Sequence, residues 1–154
     1  MRPKQFLIRT GMVLAAMLYG FVILQPLHAQ AEPPCEGSTV DNQGPETAKA
    51  ARAFLARLQD AVRANDKDKI AAMISFPLNV IHGDKRARIH DKQTFLAHYD
   101  SLFDEHVRKT ILEQSTHCLF GNANGEMIGK GEVWFSEMGD GSVKIITVNP
   151  SAGL

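Results

Sequence analysis

The chain has 154 residues, 17 of them basic and 17 acidic, so its formal charge at neutral pH is zero. Three of the basic residues (Arg2, Lys4 and Arg9) and none of the acids fall within the first 31, which leaves residues 32–154 with a net charge of −3. A mildly acidic chain is not built for a nucleic-acid backbone, which calls for a basic stripe, and about 120 residues hold one compact core rather than two.

The opening MRPKQFLIRT carries those three cations, and the uncharged run GMVLAAMLYGFVIL follows it, ending before Gln25 and Pro26. The run is shorter than the roughly 20 residues of a spanning helix and suits a secretory-signal core. Ala29, Gln30 and Ala31 then supply a small-x-small cleavage site. Residues 1–31 are therefore expected to be a removed signal peptide. The mature protein is expected to be periplasmic or secreted, without a membrane anchor.

Export changes how the two cysteines read. Cys35 and Cys118 lie far apart, lack a C-x-x-C spacing and would meet an oxidising compartment, so a structural disulfide is the economical expectation. Cys35 would then tether residues 32–46, an arm whose Pro, Gly, Ser and Asn content argues against regular structure.

The domain proper is expected over 47–149, with 150–154 as a tail. Ala51, Phe54, Leu55, Leu58, Ala61 and Val62 recur at spacings of three and four, which predicts an amphipathic helix ending at Asn65. Asp66 or Asp68 can cap a second helix carrying Ile70, Met73 and Ile74 and stopped by Pro77. Residues 78–82 and 86–90 read as a hairpin turning at Gly83 and Asp84. Asp91 caps a third helix with Phe95, Leu96, Tyr99, Leu102 and Phe103 on one face, and Asp104 starts a further helical stretch with Val107 and Ile111 inward.

The remainder reads as strand: THCLF over 116–120, then GEMIGKGEVWF over 125–135 and VKIITVN over 143–149, with turns at NANG and around Gly139 to Gly141. Gly129 and Gly131 are read as a bend within one long strand, since repeated glycine in a strand marks curvature or a bulge. The expected class is α+β, with N-terminal helices packed on one side of a strongly curved, mostly antiparallel sheet.

FLARLQDAVRANDKDKIAAMISFPLNV, FLAHYDSLF, GEMIGKGEVWF and VKIITVN, in that order, resemble the nuclear-transport-factor-2-like superfamily, and more narrowly its small exported bacterial members. The resemblance implies a cone-shaped domain whose interior can hold a small ligand. That superfamily includes ketosteroid isomerases, scytalone dehydratase, SnoaL-like polyketide cyclases, transport adaptors, association domains and immunity proteins. It carries no catalytic motif onto this chain, and fold alone does not select a function.

Candidate acid and base groups are His82, Asp84, His98, Tyr99, Asp100 and His117. The sharpest pairing is His82 at a strand end with Tyr99 on the apolar helix face, where a phenol could orient a carbonyl while the imidazole moves a proton. Phe54, Leu58, Phe103, Val133 and Phe135 would line the ligand space with them. Trp134, with Glu132, is placed on the other sheet face, as a dimer contact or a packing residue. His82, His90, His98 and His106 fall eight apart, a spacing that does not converge on a helix, so no metal or cofactor is expected.

The expected function is non-catalytic binding in the cell envelope, either of a small apolar molecule in the cone or of a protein on the sheet, with a homodimer through the sheet as one form. The opposing expectation is a cofactor-independent isomerase, dehydratase or hydrolase using His82 and Tyr99.

Overall fold

The computed structural model describes Cys35 and residues 39–151, so the expected signal peptide, its cleavage site and the end of the tail lie outside the described residues. Within them, helices and a six-stranded mixed sheet form an α+β arrangement. No described helix is long and apolar enough to cross a membrane.

A short 3₁₀ turn, Val40–Gln43, precedes helix α1, Pro45–Arg63. Proline suits the first helical position because its missing N–H has no intrahelical partner there. The buried stripe runs through Ala48, Ala51, Phe54, Leu55, Leu58, Ala61 and Val62, as the spacing predicts. Gln59 sits on the same side and is buried. Its Nε2 donates to Ile111 O (3.0 Å) and Gln114 O (2.8 Å), satisfying carbonyls at the end of a distant helix.

Three aspartates start the following helices by accepting a backbone N–H three residues on. Asp66 caps α2, Lys67–Ala72, through Lys69 N, and Asp91 caps α3, Lys92–Ala97, through Thr94 N. A four-residue helix α4, Tyr99–Leu102, comes next. Asp104 then caps α5, Glu105–Glu113, through Val107 N, and its second oxygen accepts from Ser151 N (2.9 Å) and Oγ (2.6 Å). The single third helix expected from the sequence is thus two, separated at His98. The start of the expected loose tail is held by Asp104.

The second helix is shorter than its apolar pattern suggests. It ends at Ala72, and strand β1, Ile74–His82, takes both Ile74 and Pro77. Proline lacks a donor, and β1 meets its neighbour only at Ile74 and then again from Asn79, so Pro77 lies in the gap of the ladder. Strand β2, Lys85–Ile89, completes the hairpin around Gly83 and Asp84.

The C-terminal half holds β3, Phe120–Asn122, β4, Gly125–Ile128, β5, Val133–Glu137, and β6, Val143–Val148. The sheet order is β2-β1-β6-β5-β4-β3, with β1 and β6 parallel and every other pair antiparallel. Residues 116–119 are not strand: Cys118 N bonds back to Ser115 O in a turn.

GEMIGKGEVWF is two strands and not one bent strand. Gly129 (φ +68°) and Gly131 (φ +114°) make the turn between β4 and β5, in backbone conformations that side chains disfavour. A Cβ at Gly129 would also strike Thr110 and the Glu132 carboxylate. The turn is pinned by Gln114 Oε1, which accepts from Gly129 N (2.8 Å), and by Asn149, whose side chain donates to Gly131 O. Met127 pairs with Trp134, and Ile128 joins the core beside Val133.

Cys35 and Cys118 form a disulfide, as expected for an exported chain. The arm is also held by the backbone. Thr39 N and Val40 N donate to Leu119 O, and the Thr39 hydroxyl exchanges bonds with Gly121 O (2.7 Å) and Gly121 N (2.9 Å). Val40 is fully buried, so the folded part begins before the expected boundary at 47, and the arm covers the outer edge of β3.

One acid belongs to the buried side of the sheet. Glu126 on β4 is only 4% exposed, and burial pushes its carboxyl above the usual range, with the charge of Glu137 adding to the effect. A raised carboxyl means that the folded state binds its proton more readily than the unfolded state. The associated stability is full below the ordinary glutamate range and falls as pH rises through the raised value. Glu126→Gln should therefore melt higher than the parent at about pH 7, with the gap closing toward about pH 4. Thermal melts of both proteins at the two pH values check this, and a gap independent of pH would show that Glu126 is not the titrating group.

Candidate functional site

Two places could act: the interior between helices and sheet, and the sheet face that no described helix covers.

The interior is filled. Phe54, Leu58, Tyr99, Phe103, Val133 and Phe135, expected around a ligand, expose at most 1% each. Phe54 stacks on Phe135 with ring centroids 4.7 Å apart. Tyr99 stacks on Phe103 at 5.4 Å, and Phe95 meets both edge-on. These are the contacts of a hydrophobic core, and a ligand would have to part them. Of the six, Phe54 also reaches the floor of a groove of about 370 Å³ between α1, α2 and the β5–β6 turn.

No hydrogen bond joins His82 and Tyr99. His82 ends β1, and its Nδ1 lies 3.1 Å from Pro150 O, a carbonyl that can only accept, so Nδ1 carries the proton. The Tyr99 hydroxyl is buried with no hydrogen-bond partner among the described residues, and Lys67 Nζ lies over its ring, 4.6 Å from the centroid. Burial pushes the phenol's pKa up; Arg108 opposes this and Asp100 adds to it.

The other acid and base candidates are dispersed. Asp84, His98, Asp100 and His117 are exposed, with Asp100 paired to Lys67 at 3.0 Å. Among the described residues no three His, Cys, Asp or Glu side chains cluster as metal ligands.

Glu132, expected beside Trp134 at an interface, turns back into its own chain. Burial opposes its charge, but hydrogen bonds from the Lys130 backbone N–H, its own N–H and His106 hold its carboxyl below the usual range. His106 Nε2 is 3.1 Å away. The carboxylate therefore braces the β4–β5 turn against α5.

The second place is built by strand register. Arg88, Asn79, Thr147, Trp134, Met127 and Phe120 stand opposite one another across all six strands, in the order β2 to β3. The neighbouring row, Val80, Val148, Val133 and Ile128, is buried in the core. Side chains alternate along a strand, so the first row faces away from the helices.

An irregularity between β5 and β6 enlarges the apolar part of this face. The ladder shifts at Trp134 and Phe135, leaving Ile146 unpaired between Ile145 and Thr147. Ile145 and Val148 remain buried while Ile146 and Thr147 are both half-exposed. Ile81, Ile146 and Trp134, with Arg86, Asn124 and Thr147, line a trough of about 510 Å³. Phe120 meets Trp134 edge-on at 6.4 Å.

The sequence indicates Trp134 through its alternation with Val133 and Phe135. It does not indicate Ile81, Ile146, Met127 or Phe120, because only the register joins them. Comparison with protein-family models, with curated proteins and with solved structures finds no match to this chain.

Proposed function

We propose that this chain is an exported binding protein of the nuclear-transport-factor-2-like type that acts through the face of its sheet that no described helix covers. The observation that carries the reading is a contrast. The interior aromatic residues are packed to at most 1% exposure, whereas Trp134, Met127, Phe120, Ile81 and Ile146 stay half-exposed in one contiguous set. Contiguous apolar surface of this kind is characteristic of recognition sites. The order of helices, hairpin, helices and four-strand meander supports the family assignment, and the disulfide supports an oxidising compartment. A partner protein is favoured over a small molecule, because small ligands are mostly enclosed and the trough is open.

Site-specific photocrosslinking in cells tests this. A benzoylphenylalanine at Met127 should give a discrete adduct that Trp134→Glu abolishes, and one at exposed Ala53 on α1 should give none. Adducts at Ala53 alone would place the interaction on the helices. A substrate turnover lost in the His82→Gln, Tyr99→Phe double variant would overturn the binding reading in favour of chemistry.

A further inference from the structure

We propose that the sheet face takes an acidic amphipathic helix of a partner protein, with carboxylates at the β2 edge and an apolar stripe over Ile81, Ile146 and Trp134. This rests on the reading that the face is the binding surface, and adds the chemistry of what binds.

The face is electrically lopsided. Arg86 and Arg88 are two apart on β2, opposite Ile81 and Asn79, and are exposed on the same side as the row. Neither they nor the adjoining Lys85 form an ion pair among the described residues. A hollow of about 510 Å³ bounded by Asn79, Ile81, Arg86, Arg88 and Thr147 runs into the trough beside Trp134, sharing Ile81, Arg86 and Thr147 with it. One end of the continuous surface is therefore cationic, and the other, toward Met127 and Phe120, is uncharged. Residues 32–154 as a whole carry −3, so this cationic end runs against the sign of the molecule.

Size fits a helix. Strands are about 4.8 Å apart, so the row from β2 to β3 spans about 24 Å, the length of about 16 helical residues. A helix about 10 to 12 Å across matches strands of this length better than a globular surface does.

The rival occupants lack the complementary charge. The chain's own N-terminal segment brings Arg2, Lys4 and Arg9, which repel the arginines. In a second copy, a two-fold axis along the row sets arginine over arginine, and one across it sets arginine over Phe120. Neither supplies a carboxylate.

Trp134 is the sole tryptophan of the chain, so its fluorescence reports this face directly. The probes are a 16-residue Glu/Leu amphipathic peptide, its Lys/Leu counterpart and a thymidylate oligomer. The Glu/Leu peptide should give a saturable blue shift, at least about tenfold tighter than the Lys/Leu peptide, and weaken with added salt. Arg86→Glu with Arg88→Glu, both exposed and remote from the core, should invert that preference while leaving the melting temperature unchanged.

Equal binding of both peptides would retain the face as a binding surface and overturn the acidic occupant. No shift with either peptide, tighter binding of the oligomer, or a concentration-dependent dimer that shifts Trp134 unaided would each overturn the proposal.

Discussion

Replacing Cys35 and Cys118 by serine should lower the unfolding free energy by about 4 to 5 kcal/mol, because the bridge closes a very long loop in the unfolded chain. The two cysteines are 83 residues apart, so the unfolded ensemble loses much of its freedom when they are joined. Urea denaturation of the oxidised parent and of the double variant measures the difference. The expected loss is large beside the total stability of an ordinary domain, about 5 to 15 kcal/mol. A loss under about 1 kcal/mol would mean that the denatured chain is already restricted. The structure also predicts a local consequence. Thr39 and Val40 lie along the edge of β3, and Cys35 holds them from one side. If the arm detaches in the variant, that edge presents unpaired backbone, and the variant should aggregate at concentrations the parent tolerates.

Phe135→Ala should cost about 3 to 5 kcal/mol, the range for emptying a buried aromatic position. Phe135 is fully buried against the ring of Phe54 and between Glu126 and Ile145 on the neighbouring strands. Trp134→Ala, one residue earlier on the same strand, should cost visibly less, because its side chain is half-exposed and, among the described aromatic residues, rests on Phe120 alone. Denaturant melts of the two variants side by side decide the matter. Similar losses would mean that a partner or second copy already buries Trp134 in the purified protein.

Much of the fold is legible in the sequence where the cause is local. Asp91 and Asp104 announce their helices, and Asp66 or Asp68 the second one, because a cap needs only a carboxylate and an N–H three residues on; the structure uses Asp66. The stripe on α1 is equally plain, since it repeats over about four turns. Local reasoning fails at Pro77 and at Gly129 and Gly131. Proline is an obvious helix stop, but whether a strand tolerates it depends on the ladder it must join, and that partner is β6, some 70 residues on. Glycine signals an unusual backbone at 129 and 131, but the choice between bend and turn belongs to Gln114 and Asn149.

The candidate site follows the same division. Tyr99 and His82 are recognisable as reactive types, yet what each side chain meets is a fact of packing. Trp134 stands out by type alone, whereas Ile81 and Ile146 acquire meaning only through the register of β1 against β6.

The alternation along β5 has one more consequence. Val133 and Phe135 specify the fold while Trp134 between them faces outward, and β1, β4 and β6 divide their residues in a similar way. Each strand thus carries two texts interleaved, one read by the core and one by whatever meets the surface. If this face is the binding surface proposed above, substitutions at 81, 127, 134 and 147 would alter what it meets while the scaffold stays put.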